Sequence, residues 1–151
     1  MDIGSGKGYP STALSNFAPH KFIMDGVECN SMEGFLQSLK FKSVDMQKQV
    51  CTLVGVKAKY KGKHKPWWKE QILYWQGVEY KRDSKEYQEL LKRAYLQLSQ
   101  NEGFKKAIIA SGNAVYTHSI GKNDITHTVL TEREFCSMLN MCRNEILKGT
   151  K

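Results

Sequence analysis

The pattern of hydrophobic and polar positions predicts a helix that begins directly after Ser31. Apolar side chains recur at helical spacing and, at about 100° per residue, share one face of this helix. They are Met32, Phe35, Leu36 and Leu39. Ser31 is a favourable N-cap because its hydroxyl can accept from the free amides of the first turn. Glu33, Gln37 and Lys40 follow at i, i+4 and i+7 and form a polar stripe at the edge of the apolar face.

This polar stripe has two interpretations. The residue three positions after the N-cap is Gly34, so Glu33 cannot close a capping box and its carboxylate is free to point elsewhere. A carboxylate, an amide and an amine gathered beside a rigid turn at residues 14–19 are the groups of an active site. The alternative is an amphipathic surface helix whose Glu33 and Lys40 are merely solvated.

The same spacing predicts helices in the second half of the chain. Ser84 caps a helix whose apolar face contains Tyr87, Leu90, Leu91, Ala94, Tyr95 and Leu98. Residues 104–110 form a second helix that ends near Gly112. Thr131 and Glu134 form a capping box that opens a last helix. The buried face of this last helix contains Phe135, Met138, Leu139 and Ile146.

Strand signals are short. Residues 21–24 and 27–29 flank Asp25 and Gly26, a pair that supplies the positive φ of a tight hairpin turn. Residues 114–118 predict a short strand that leads into a loop at residues 119–124. The elements together predict an α+β fold, mainly helical, with a small antiparallel sheet.

Length and composition predict a single domain. A chain of 151 residues with 40% hydrophobic content can bury one core, and no repeat or linker divides it. Residues 1–12 are expected to be a flexible leader and residues 13–151 the domain. The glycine-rich stretch at residues 4–8 follows no strand and precedes no helix signal, so it fails as a dinucleotide or P-loop fingerprint.

No segment indicates a membrane span, export or a metal. The sequence lacks a run of about 18 apolar residues and a cleavable leader, which predicts a soluble protein of the cytoplasm, or of the host cytoplasm if a phage encodes it. The cysteines form no C-x-x-C pair and are interpreted as buried thiols. His118 and His127 match no zinc spacing, and His20 and His64 are interpreted as ordinary surface histidines. We therefore predict no metal and no cofactor.

The net charge of +8 indicates an anionic partner. Much of it lies between residues 57 and 69, where lysines alternate with aromatic residues. The lysines are Lys57, Lys59, Lys61, Lys63, Lys65 and Lys69, and the rings are Tyr60, His64, Trp67 and Trp68. Ammonium groups beside rings suit phosphates and stacked bases, so Lys59, Lys61 and Lys63 are predicted to bind nucleic acid. The alternative is a solvated loop that only keeps the protein soluble.

Ordered motifs resemble the NADAR family. "LSNFAP" followed by "DGVECNSMEGFLQSLKF" is similar to the opening of its YbiA-like members, with an Asn-Phe-x-Pro turn, an Asp-Gly hairpin, a Ser-x-Glu and a Gln-x-x-Lys-Phe. The resemblance continues through "RAYLQLSQNEGFKKAIIASGNAVYTHSIGKND" and covers roughly residues 13–147. Phage-encoded members look most similar, at "LYWQG" and "HSIGKND".

The resemblance implies a glycosidase that acts on N-glycosidic bonds of ribosyl compounds. The substrates would be ADP-ribose attached to guanine of a nucleotide or nucleic acid, or riboflavin-pathway intermediates. In phage-like members this implies interference with a host defence that uses ADP-ribosylation. Asn16 and Phe17 would shape the ribose pocket, Glu33 would be the essential carboxylate and Gln37 would orient it.

Two further catalytic groups follow from the resemblance. Lys40 would be the amine, either attacking the anomeric carbon through a Schiff base or holding phosphate or ribose. Asp124 would be the second acid, and its alternative role is that of a turn aspartate.

The chain departs from the family where tryptophans are common, having Asp83 and Ser84 before the middle helix and His127 and Thr128 after the acidic loop. Trp75 is the candidate to replace one of these rings.

The loop at residues 119–124 is predicted to carry part of the site, because loops between rigid elements often carry chemistry. Gly121 would let backbone amides approach a phosphate or a sugar, and Ser119 and Lys122 would contact the substrate. Three functions compete: an N-glycosidase, a binding module that keeps the ribosyl pocket without turnover, and a small basic nucleic-acid-associated protein. An intact stripe of Glu33, Gln37 and Lys40 favours the first, whereas the lysine cluster at residues 57–69 alone would serve the third equally well.

Overall fold

The computed structural model describes residues 1–149. The helices are α1 (Ser11–Leu14), α2 (Met32–Ser38), α3 (Val44–Cys51), α4 (Gly55–Lys63), α5 (Lys85–Leu98), α6 (Glu102–Ala110) and α7 (Glu132–Lys148), with a 3-10 turn at Trp67–Lys69. The strands are β1 (Phe22–Met24), β2 (Val27–Cys29), β3 (Ile72–Trp75) and β4 (Val78–Lys81). They pair as two separate antiparallel hairpins, β1 with β2 and β3 with β4. The predicted α+β, mainly helical fold is confirmed, with two small sheets in the described residues.

One hydrophobic core joins these elements. Buried side chains from both hairpins and from α2, α5, α6 and α7 belong to a single cluster. The apolar faces predicted for α5 and α7 lie in it, and the capping box of Thr131 and Glu134 is formed at the start of α7. The predicted helix at residues 104–110 is also confirmed, as most of α6.

Helix α2 packs very closely against the end of α3. The Ser31 hydroxyl accepts from Gly34 N, as predicted, and donates to Leu53 O at 2.9 Å. A Cβ at Gly34 would lie 2.7 Å from Leu53 O, so only glycine allows this approach. The contact fixes the start of α2, and with it the direction of the polar stripe.

Helices α3 and α4 were not anticipated from the sequence. Ser43 caps α3, but the apolar side of α4 consists only of Ala58 and Gly62, so the lysines obscure its periodicity. Small residues at these two positions let α4 lie directly against α2. The lysine-rich segment is therefore a packed helix over residues 55–63 rather than a solvated loop.

The first twelve residues are folded, which corrects the expectation of a flexible leader. Ile3 is fully buried in the core, and Asp2 forms an isolated parallel bridge with Thr117. Ser11 lies at the start of α1 and is also buried. Burial of Ile3 outweighs the small-residue composition that predicted mobility. The strand predicted at residues 114–118 is reduced to this single bridge.

A buried ion pair holds the chain that leads into α7. The Arg82 guanidinium is 1% exposed, donates two hydrogen bonds to the Glu134 carboxylate, and donates from Nε to Thr128 O at 2.8 Å. The Tyr87 hydroxyl donates to Val129 O at 2.5 Å. Thr128 and Val129 line the cavity described below, so this network shapes one of its walls.

Two further findings concern membrane-spanning helices and the cysteines. None of the helices in residues 1–149 is long and apolar enough to cross a membrane. All four cysteines are free, and Cys29, Cys51 and Cys142 are buried, which agrees with their interpretation as structural thiols.

Candidate active site

A cavity of about 540 Å³ opens between α2, α4 and the chain segment that precedes α7. Glu33 and Gln37 of α2 line it, as does Lys40, which lies two residues beyond the end of that helix rather than on it. Lys59 and Lys63 of α4 line it as well. Trp67 and Trp68 follow α4 and border the same space. A volume of this order is typical of sites for nucleotide-sized ligands.

Glu33 is the carboxylate of this cavity. It is half-buried, and its Oε2 accepts a hydrogen bond of 2.7 Å from Gln37 Nε2. Burial raises the pKa of Glu33, while the Gln37 hydrogen bond and the charges of Lys40 and Lys59 oppose the rise. The predicted role of Gln37 in orienting Glu33 fits this hydrogen bond.

Lys40 lies on the same wall with its amine partly buried. Its Nζ donates to Gly62 O at 3.5 Å. Burial lowers the pKa of Lys40, the Glu33 carboxylate opposes this, and the charge of Lys59 adds to it. A lowered pKa increases the fraction of neutral amine, which is the form that can act as a nucleophile.

Asn16 is held at the cavity by a buried tyrosine. The Tyr95 hydroxyl donates to Asn16 Oδ1 at 2.7 Å, and Asn16 O accepts from Glu33 N at 3.0 Å. Burial raises the pKa of Tyr95 far above its ordinary range, so the hydroxyl remains a donor. Asn16 and Phe17 both line the cavity, next to the start of α2.

The fold brings together most of the side chains predicted for the site. The predicted residues that line the cavity are Asn16, Phe17, Glu33, Gln37, Lys40, Lys59, Lys63, Gly121 and Lys122. Lys61 does not line it, because it lies on the opposite side of α4 from the i, i+4 pair of Lys59 and Lys63. The predicted nucleic-acid cluster is thus divided between the cavity and the outer surface.

Asp124 lies outside the cavity lining and folds back onto its own loop. Its carboxylate accepts from Thr126 N and Oγ1 and pairs with His127 Nδ1 at 2.9 Å. The Thr126 and His127 hydrogen bonds lower the pKa of Asp124 to about 2. This is the geometry of a turn aspartate, so the predicted second acid is not brought to the site.

Ser119 likewise faces away from the cavity. Its N and Oγ donate to the Asp2 carboxylate at 2.7 and 2.6 Å. The Ser119 hydrogen bonds hold the pKa of Asp2 well below its usual range. Ser119 therefore anchors the loop to the N-terminal segment, while Gly121 and Lys122 border the cavity.

Trp75 is a core residue, which corrects its proposed stacking role. It is 2% exposed, packs edge-to-face on Phe35, and donates from Nε1 to Asp25 Oδ2 at 2.8 Å. Trp67 and Trp68 supply the rings at the cavity instead. Their signal in the sequence was the alternation of rings and lysines, but their position depends on the turn after α4.

His118 and Ser5 are cavity residues that the sequence did not assign to the site. Their positions depend on the burial of Ile3, because Ile3 O contacts the His118 ring at 2.7 Å and brings the N-terminal segment to this wall. No pattern in the sequence predicted that contact. Among the residues described, no group of three or more His, Cys, Asp or Glu side chains could hold a metal ion.

We expect Gly62→Ala to destabilise the protein, although alanine favours helices. A Cβ at this position would collide with the Gln37 side-chain oxygen and lie 3.2 Å from Gln37 Cβ, so the Gln37 side chain must leave its hydrogen bond with Glu33 or α4 must move away from α2, at a cost of about 1–3 kcal/mol. Urea unfolding measures the loss, with Lys61→Ala on the exposed side of α4 as the control. A Gly62→Ala protein as stable as the parent would contradict the close contact.

The fold is that of the YbiA-like proteins. The NMR structure of the E. coli protein YbiA is similar with a TM-score of 0.66, covering 99% of this chain and 86% of that chain at 14% identity. The chain belongs to the family described as Bacteriophage protein GP30.3, whose model matches residues 8–144 and which is part of the NADAR clan. It is also 39% identical to an uncharacterized 17.1 kDa protein in the Gp30-rIII intergenic region of Enterobacteria phage T4, over 97% of this chain and 98% of that protein.

Proposed function

We propose that the protein is an N-glycosidase that removes ADP-ribose from guanine, in a nucleotide or in nucleic acid. The observation that carries the proposal is the half-buried Glu33 carboxylate in a cavity bordered by lysines and indole rings. Membership of the NADAR clan supports the reaction class. The substrate is one that the resemblance to this family implies, and the lysines and rings of the cavity walls suit its phosphates and bases.

Cleavage of an N-glycosidic bond builds positive charge at the anomeric carbon. A carboxylate held next to that carbon stabilises the charge or activates the attacking group, as carboxylates do in O-glycoside hydrolysis. Glu33 is fixed for this role by Gln37 and by the hydrogen bond from its own N to Asn16 O. A preorganised carboxylate needs no rearrangement as the charge develops.

The walls around Glu33 suit a diphosphate and a base. Lys59, Lys63 and Lys65 line the cavity from α4 and the turn that follows it, and Lys122 lines it from the segment that precedes α7. Their ammonium groups can neutralise phosphate oxygens. Trp68 is 48% exposed at the rim and offers a ring face on which a base can stack.

Lys40 is expected to form a covalent intermediate with the ribosyl group. Burial lowers its pKa, which increases the fraction of neutral amine that can attack the anomeric carbon as the bond to the base breaks. Opening of the ribose ring would then give a Schiff base, which water hydrolyses to release the ribosyl group and which borohydride can reduce. Borohydride added during turnover should trap an adduct in the parent and none in Lys40→Ala, as measured by intact mass. Normal hydrolysis without any adduct in the parent would make Lys40 a binding residue, with water attacking directly.

Variants of two lysine pairs on α4 should distinguish binding in the cavity from binding on the outer surface of the helix. Lys59 and Lys63 line the cavity, whereas Lys57 and Lys61 are exposed on the other side of the helix. Replacing Lys57 and Lys61 by Gln should reduce the salt slope for DNA by up to about 0.9 for each lost phosphate contact and leave free ADP-ribose binding unchanged. Replacing Lys59 and Lys63 should weaken the binding of both DNA and free ADP-ribose. Equal effects from the two pairs would contradict this division.

Mass spectrometry of the products tests the proposed function. The protein is incubated with guanine-ADP-ribosylated DNA and, separately, with ribosylamine intermediates of riboflavin synthesis, with Glu33→Gln as the control. Release of ADP-ribose and restored guanine from the first substrate supports the proposal. Turnover of the second substrate alone would assign the riboflavin-type reaction, and binding of ADP-ribose without turnover of either would make the protein a binding module.

A further inference from the structure

His118 has one ring nitrogen committed to the protein. Its Nδ1 lies 2.7 Å from Ile3 O, and a carbonyl oxygen can only accept, so Nδ1 carries the proton. In the neutral ring this leaves a lone pair on Nε2. Within residues 1–149, Nε2 has no hydrogen-bond partner, and His118 is one of the residues that line the cavity.

The orientation of this ring is fixed by its neighbours. It packs edge-to-face against Phe135, with ring centroids 5.0 Å apart. A Cβ at Gly121 would lie 2.6 Å from His118 Cδ2, so only glycine at that position leaves room for the ring. His118 N also donates to Glu132 Oε1 at 3.4 Å. An acceptor held this firmly loses little side-chain entropy when a ligand binds.

We propose that His118 is a ligand-binding residue of the cavity, whose Nε2 accepts a hydrogen bond from a ribose hydroxyl of the bound ADP-ribosyl group. The inference rests on the proposed function for the identity of the ligand. Phosphate oxygens are acceptors and cannot supply this hydrogen bond, whereas ribose hydroxyls are donors. The amino groups of the bases are donors too, but the exposed ring of Trp68 at the rim is the stacking surface for a base. The phosphates belong with the lysines of the cavity, and the sugar belongs with His118.

His20 provides a matched control elsewhere in the fold. Its Nε2 lies 2.8 Å from Ala13 O, and its ring packs edge-to-face on Phe104 and closely on Gly103. It therefore resembles His118 in its ring contacts with a carbonyl, a phenylalanine and a glycine, but it has the opposite nitrogen committed and does not line the cavity. A purely structural histidine should behave like His20.

Nitrogen NMR of the two rings tests the geometry without any ligand. Under conditions in which the spectra report neutral rings, His118 should be the Nδ1-protonated tautomer and His20 the Nε2-protonated one. Addition of ADP-ribose should shift the Nε2 resonance of His118 and leave His20 unchanged. An Nε2-protonated His118, or an unshifted Nε2 in the bound protein, would overturn the proposal.

Calorimetry with ADP-ribose tests whether His118 contributes to ligand binding or only to the packing of the protein. Asn at position 118 keeps a donor for Ile3 O but lacks Nε2, so His118→Asn should fold normally and bind ADP-ribose about tenfold more weakly. His20→Gln keeps the donor to Ala13 O and should change binding by less than about twofold. Unchanged binding in His118→Asn would overturn the role of His118 alone. Failure of the parent to bind ADP-ribose would overturn the ligand class and this role together.

Discussion

Glu33→Gln is expected to reduce turnover by at least about 10²- to 10⁴-fold while leaving the protein folded. The substitution keeps the shape of the side chain and an oxygen that can accept from Gln37 Nε2, but it removes the negative charge that the proposed reaction requires beside the anomeric carbon. Turnover and thermal melting are measured on the same preparation. A variant with at least half the parent rate would end the catalytic role of Glu33.

The direction in which Glu33→Gln changes the stability of the protein follows from the pKa of Glu33. Burial raises the pKa of Glu33 in the folded protein, so the folded state binds more protons than the unfolded state at pH values between the two pKa values. Stability therefore falls as the pH rises through that window, and the ionised carboxylate costs stability at neutral pH. Glu33→Gln should melt at the same temperature as the parent, or higher.

Glu28→Gln is the matched control for charge removal. Glu28 is an exposed residue of β2 and lies outside the cavity lining, so its substitution should change neither turnover nor melting. Equal losses of activity in Glu28→Gln and Glu33→Gln would indicate a general effect of net charge. That result would contradict the assignment to the cavity.

Arg82→Met should destabilise the protein by about 3–5 kcal/mol, the largest stability effect that we expect. The substitution leaves the partly buried Glu134 carboxylate without its partner and frees Thr128 O from its hydrogen bond. Urea unfolding measures the loss. Glu102→Gln, at the exposed pair with Lys105, should change stability by about 0.5 kcal/mol or less.

A double-mutant cycle measures how much of the stability loss comes from the interaction between Arg82 and Glu134 rather than from each side chain by itself. Arg82→Met with Glu134→Leu removes both charges, so the pair of substitutions should cost less than the sum of the single ones. Additive losses would show that the two charges do not stabilise each other. The capping interactions of Glu134 with Thr131 and its hydrogen bond with Gln88 are lost in either variant that changes Glu134.

The same ion pair gives a pH dependence of opposite sign to that of Glu33. Burial alone would raise the pKa of Glu134, but hydrogen bonds from Arg82, the Thr131 amide and Gln88 outweigh burial and lower it. Its contribution to stability is therefore present above the pKa of the unfolded chain and is lost as the pH falls through the lowered folded value. Arg82→Met should flatten this acid limb of the stability curve.

Local signals along the chain were sufficient to predict helix α2, which carries the proposed catalytic carboxylate. The Ser31 cap and the apolar spacing of α2 depend on neighbours within a few residues, so the shared face of Glu33 and Gln37 could be predicted before any tertiary contact was known. Lys40 lies two residues beyond the end of α2, where its Nζ contacts Gly62 O of α4. The Asp25 and Gly26 turn and the capping box of α7 are local in the same sense. These features follow from backbone geometry that a short peptide already favours.

Long-range packing decided the rest of the cavity. Trp75 and Trp68 have similar aromatic neighbourhoods in the sequence, yet Trp75 is buried on Phe35 and Trp68 borders the cavity. Ile3 binds the His118 ring across more than a hundred residues. Neither contact has a local signature, because each depends on where separate elements meet.

The lysine-rich segment shows the physical reason for this division most clearly. Its composition predicted an anionic partner, but the close contact of Ala58 and Gly62 with α2 determines that Lys59 and Lys63 face the cavity and Lys61 faces away. Charge is a property of each residue and can be read along the chain. The direction in which a charge points depends on the surface that its helix buries, and that surface exists only after the helices have packed.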